Sequence, residues 1–373
     1  MNAARLKEIV EFLLSQENQS RIQKRLNAVS QQLSNLASNP QQSEAQTQFA
    51  NALSELDKAM VQTIDNIQPA QAKLIEEIGG SPFFLENLAT TIAKWTAENP
   101  IAPAVTQKKV ADLTARRAEF IETITQLRDR LTKLNIQTAV LDSGTAEIGF
   151  LLPRELFHNH LDELIKELGV LNKIMRAFTE IATGTISPIE VRQISTSDPL
   201  FFFGLDATTI AMIGGVVTWA LMQWKMVEDI RKLRSEAKKN SVFTEKEIKG
   251  FFDAKIQESI DKGIDHKVNE LLRSSKDKLD GPRQSEKKNE LAWALRSILA
   301  RVERGMTVEI RFLPPATTTQ EEGDQEPREK NDFGELSQIV PQLVFPSAEQ
   351  SPVLELPPPE PQQSPSTRPQ TTN

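Results

Sequence analysis

The sequence predicts a mainly α protein in three parts. An N-terminal antiparallel helical bundle, or set of coiled-coil hairpins, is expected over 1–140. A small α+β domain of split β-α-β character with a helical insertion follows over 141–313, then a disordered acidic, proline-rich tail over 314–373. Three observations carry this. Apolar residues recur at spacings of three and four through the first 140 positions, two-residue alternation is confined to short stretches after Asp142, and twelve of the 21 prolines lie beyond Leu313.

In chain order, Ile22, Leu26, Val29, Leu33 and Leu36 form the first seam, which Asn39-Pro40 ends because the residue before proline is pushed out of the helical region. Phe49, Leu53, Leu56, Met60, Ile64 and Ile67 form the second, running toward Gly79-Gly80. Ser81-Pro82 opens a shorter third helix through Phe84, Leu88, Ile92 and Trp95. The fourth seam, Val110, Leu113, Phe120, Ile124, Leu127, Leu131 and Leu134, is broken only by Arg117. Short connections between seams of similar length favour antiparallel packing within one chain over a parallel coiled-coil dimer.

After Asp142 the period changes. Ala146, Ile148 and Phe150 alternate with Glu147 and Gly149 as a strand, and Pro153 opens a helix of nearly thirty residues capped by Gly184. Ile189 to Ile194 and Leu200 to Phe203 predict two more strands, and a long helix begins near Ala207. Thr244 and Glu247 make a capping box for the next helix. Gly281-Pro282 precedes a last helix, and Met306 to Phe312 alternate as a strand.

Composition removes several chemistries. The chain contains no cysteine and no tyrosine, which excludes thiol nucleophiles, disulfides, Cys-based metal sites and a Tyr acid. Ten of the 51 acids and three of the 44 bases lie beyond Leu313, so 41 of each remain before it and the tail carries the whole net charge of −7. A neutral body does not offer the concentrated basic face that nucleic acid requires. His158 and His160, followed by Asp162 and Glu163, are the one close histidine pair. Two residues apart on a helix they would point about 200° apart and would not share an ion. Gly144 to Gly149 has phosphate-loop spacing but is followed by Phe150-Leu151 instead of Lys and Ser or Thr. No catalytic residue, metal ligand, cofactor or small-molecule substrate is therefore assigned.

Ala207 to Trp224 is eighteen residues without a charge, about 27 Å of helix, close to the thickness of a bilayer core. If it inserts, Ile210, Ile213, Gly214, Gly215, Val217, Trp219, Leu221 and Trp224 are the residues that would meet lipid. Thr208, Thr209, Thr218 and Gln223 dilute that segment, and the stripe Ile213, Val217, Ala220, Trp224, Val227 runs past Lys225 into an amphipathic continuation. A helix buried against the small sheet is the favoured reading, with Gly215 a close-packing point.

In the tail, Leu343, Val344 and Phe345, and likewise Val353, Leu354 and Leu356, form two proline-bounded apolar islands, the candidate partner-binding residues. The stretch Met1 to Leu14 lacks the uninterrupted apolar run of about seven residues that a secretory signal needs, so a cytoplasmic location is expected. The expected function is a non-enzymatic helical scaffold that assembles through its seams, with further copies of itself among the expected partners, and recruits a protein partner through the tail motifs. The alternative is a membrane-active anchor or pore inserting residues 199–224.

Overall fold

The computed structural model describes residues 3–39, 41–100, 102–138, 141–195, 199–240, 245–275, 281–315, 327–345, 352 and 354–358. The chain is mainly α with one small sheet, in two compact units, the first over Met1–Val140 and the second over Leu141–Ile194 with Asp198–Asn373.

In the first unit the helices are α1 (Ala3–Ser20), α2 (Ile22–Ser38), α3 (Ser43–Asp65), α4 (Pro69–Glu77), α5 (Ser81–Phe84), α6 (Leu88–Glu98) and α7 (Pro103–Lys133). α2 packs on α3 and α7, α1 on α7 and α3, and α6 on α3 and α7. The seam residues Leu26, Val29, Leu33, Leu56, Met60 and Val110 are fully buried among one another, so the seams are closed within a single chain. Two breaks were not anticipated. The second seam stops at Asp65 and restarts at Pro69, which occupies the first helical turn of α4. The third splits into α5 and α6, with Asn87 capping α6 by accepting from the amides of Ala89 and Thr90.

Ile124 is buried whereas Leu127 is only half-buried. A carboxylate at Ile124 (I124D) should therefore destabilise by several kcal/mol, about twice the effect of L127D. Denaturant melts of the two variants compare them directly, and equal midpoints would place Leu127 as deep in the core as Ile124.

The second unit contains β1 (Thr145–Leu151), α8 (Leu161–Thr183), β2 (Glu190–Ser195), β3 (Leu200–Leu205), α9 (Ala207–Asn240), α10 (Glu245–Arg273), α11 (Gly281–Glu303), β4 (Thr307–Leu313) and α12 (Pro327–Ile339). The sheet order is β2-β3-β1-β4, with β1 antiparallel to both β3 and β4. β1, α8 and β2 thus make a β-α-β unit whose strands are separated by β3, the split arrangement. Ile148 lies between Phe203 and Ile310, and Phe150 between Phe201 and Val308, giving one apolar face. On the other face the Phe202 ring lies over Gly149, where any Cβ would collide with it. The Arg311 guanidinium stacks on that ring at 4.2 Å and donates to Glu309 at 2.8 Å.

α9 is the central helix, packed against α8, α10, α11, α12, β1 and β4. Asp206 caps its first turn, accepting from the Thr209 amide and hydroxyl, and Thr218 returns its hydroxyl to the Gly214 carbonyl. In this way two of the threonines that dilute its hydropathy are satisfied locally. A buried Arg301–Glu167 pair, bonded at 2.7 and 3.0 Å, joins α11 to α8.

Two differences from the sequence expectation matter. The helix expected from Pro153 begins only at Leu161, because His158 (φ 49) and Asn159 (φ 59) adopt left-handed conformations after a short 3-10 turn at Arg154–Leu156. The stretch beyond Pro314, expected to be disordered throughout, holds α12 and a 3-10 turn at Val340–Gln342, with Phe333, Leu336, Val340 and Leu343 buried in the core of the second unit. Their apolar surface provides the burial that the acidic, proline-rich composition had concealed.

Candidate peptide-binding groove and the apolar helix

The structure distributes the six tail candidates unequally. Leu343 is buried, Phe345 packs half-buried on the same core, and Val344 is 65% exposed. In the second island Leu354 is buried and Leu356 is 36% exposed, while Val353 lies outside the described residues. The two leucines face inward because this chain supplies their pocket.

Leu354 is held at the C-terminal end of α11, where Glu303 is the last helical residue and Arg304 the next. The Leu354 amide donates to the buried Glu303 carboxylate at 2.9 Å, and its carbonyl accepts from Arg304 Nη2 at 2.6 Å. Arg304 is fixed by a second bond, Nη1 to the Ala300 carbonyl at 2.8 Å. Burial lowers its guanidinium pKa, with Glu303 acting in the opposite sense. Further along, Trp293 Nε1 donates to the Pro358 carbonyl at 3.2 Å, and Lys173 Nζ lies 4.2 Å from the centre of the indole ring.

Trp293 and Glu303 are ten residues apart on α11, about 15 Å. Leu354 to Pro358 spans four residues, about 12 Å in extended polyproline geometry. The segment therefore runs antiparallel to α11 and is read through its main chain plus one leucine. Burying Leu354 is worth about 2 kcal/mol. The two bonds to ionised side chains contribute about 2 kcal/mol each and the indole bond about 1 kcal/mol. Ordering the five residues costs about 1–2 kcal/mol each. Docking of this island is thus close to balance.

The apolar helix is more than half buried within the second unit. Ala207–Ile230 is long and apolar enough to cross a membrane, with mean hydropathy 1.3, but Ile210, Ile213, Val217, Trp219 and Leu221 are buried and Trp224 is half-buried. Of the two glycines, Gly214 is the close-packing point, where the sequence reading places it at Gly215. A Cβ at Gly214 would lie 2.9 Å from both Ile310 and Ile339, whereas one at Gly215 meets nothing within 4 Å. G214L should therefore lower the melting temperature by about 5–10 °C, as an overpacked core does, and G215L should leave it nearly unchanged. A larger loss at Gly215 in a thermal melt would contradict this placement.

The histidines do not converge. His158 and His160 are exposed in the turn before α8, and among the described residues no three His, Asp or Glu side chains stand together as a metal would need. His266 borders a hollow of 420 Å³ with Asn269, Glu270 and Arg273 of α10 and Ser274 just past its end. Sequence reasoning overlooked Trp293, Glu303 and Arg304, because a main-chain clamp leaves no motif in the residues that form it. No family model, no curated protein and no solved structure matches the chain.

Proposed function

We propose that the chain is a non-enzymatic interaction protein whose partner contacts are centred on its C-terminal segment and the α11 surface that holds it. The supporting observation is the way residues 354–358 are held: a segment without regular structure, ending in Pro357-Pro358, is bonded through its main chain by Trp293, Glu303 and Arg304 much as a separate peptide would be. The helical first unit serves as a closed support in this reading. The test is proximity labelling in cells with the full chain and with a chain ending at Phe345. Protein partners recovered by the first and lost or exchanged with the second support the reading. An identical partner set removes it.

The length and hydropathy of Ala207–Ile230 favour a second reading, membrane insertion. It would require α9 to give up its contacts with the sheet, α8, α11 and α12. Flotation with anionic and zwitterionic vesicles separates the two. Retention of the purified chain in the lipid-free fraction supports the interaction reading, and stable flotation supports insertion.

A further inference from the structure

We infer that the α11 groove takes proline-flanked leucine segments of other proteins, and that residues 354–358 are an internal competitor occupying it until such a segment arrives. The inference rests on the interaction reading above and names the ligand class. Three features carry it. Recognition falls on groups any such peptide presents: a leucine side chain, the amide and carbonyl of the same residue, and a carbonyl in the proline run four positions later. Two of the three clamp residues also have contacts within the folded unit besides those to the tail: Arg304 is tied to the Ala300 carbonyl and the Lys173 cation lies against the Trp293 ring. The occupant is held by one buried side chain, Leu354, while Leu356 and Glu355 remain exposed, so release uncovers little.

The occupant class follows from the clamp. The amide receptor is a carboxylate and the carbonyl receptors are a guanidinium and an indole, so the incoming strand must be extended with both main-chain groups of its leucine free. Proline three or four residues beyond the leucine pre-sets that extended form and lowers the ordering cost of binding. An intramolecular copy of the same motif acts at an effective concentration in the millimolar range, which lets it mask the groove despite weak docking.

The test uses the full chain and a fluorescein-labelled peptide of sequence 350–360. In the L354D variant the internal segment loses its anchor, and the peptide should bind saturably, at least ten-fold more tightly than to the wild-type chain. Adding R304A to L354D should abolish that binding. A peptide carrying Asp in place of the leucine should bind neither protein. In the wild-type chain, excess unlabelled peptide should speed hydrogen exchange of the Leu354 amide, a readout that stands even if L354D fails to fold. Equal peptide binding to both proteins, or no acceleration of exchange, overturns the inference. If dilution of the wild type alone raises its peptide affinity, the competitor is the tail of a second copy and the intramolecular assignment fails. Loss of peptide binding while cellular partners still depend on residues 346–373 would reject the groove as the receptor yet leave the interaction reading standing, with the tail itself as the ligand.

Discussion

Deleting residues 317–373 should lower the melting temperature of the second unit by about 15 °C or more, or abolish its transition. The deletion removes Phe333, Leu336, Val340 and Leu343 from the core and uncovers their partners, among them Phe312, Ile310 and the Gly214 face of α9. Each buried apolar side chain is worth about 1.5–3 kcal/mol, an upper figure because unfolded chains already hide some surface. Four of them approach the whole stability of a typical domain, about 5–15 kcal/mol. Ending the chain at Phe345 instead spares all four and should shift the transition by no more than a few degrees. Calorimetry on the two truncations provides the contrast. An unchanged transition after the longer deletion would mean that α12 is not part of the core.

The second large effect is expected in the first unit at Arg117, which is 0% exposed. Its Nη2 donates to Glu17 at 2.6 Å and its Nη1 to Gln23 Oε1 at 3.1 Å, and the guanidinium lies over the Phe84 ring at 5.2 Å. Glu17 also accepts the Gln23 amide at 2.9 Å, just past Arg21, whose left-handed backbone (φ 51) turns α1 into α2. One carboxylate therefore holds the α1–α2 corner and neutralises a cation on α7. E17A leaves that cation buried and unpaired, and should cost about 3–5 kcal/mol. The double replacement E17Q/R117M, which removes both charges at similar volume, should recover most of the loss. Chemical denaturation of E17Q, R117M and the double replacement completes the cycle, and additive single and double effects would show that the two side chains are not coupled.

The legible part of this fold was its periodicity. The seams of α2 and α7 and the alternation of Ala146, Ile148 and Phe150 are short-range patterns that the structure reproduces, apart from Leu134, which lies past α7 and is 71% exposed; the second and third seams are each interrupted once. Arg117 stood out as a flaw in a seam, but its acceptor is a hundred residues away and nothing local points to Glu17. α12 and the 3-10 turn after it were obscured by composition, although Phe333, Leu336, Val340 and Leu343 advance by three, four and three, a helical spacing that a narrower reading window would have shown. The tail leucines were identified as chemically unusual, and their direction was not. Whether an apolar island faces another molecule or its own chain depends on Trp293, Glu303 and Arg304, which only the folded backbone brings to it.

The strand order also bears on synthesis. β1 sits between β3 and β4, yet β4 begins at Thr307, 162 residues after Thr145 opens β1. At about 5–20 residues per second, a translating ribosome needs roughly ten to thirty seconds to supply that missing neighbour. Throughout that interval the first unit already has its full set of helices, while α9 is out of the exit tunnel before its partners α11, β4 and α12 exist. The nascent chain thus carries a long apolar helix only partly covered, beside an incomplete sheet edge, a condition that holdase chaperones relieve and that slower translation prolongs.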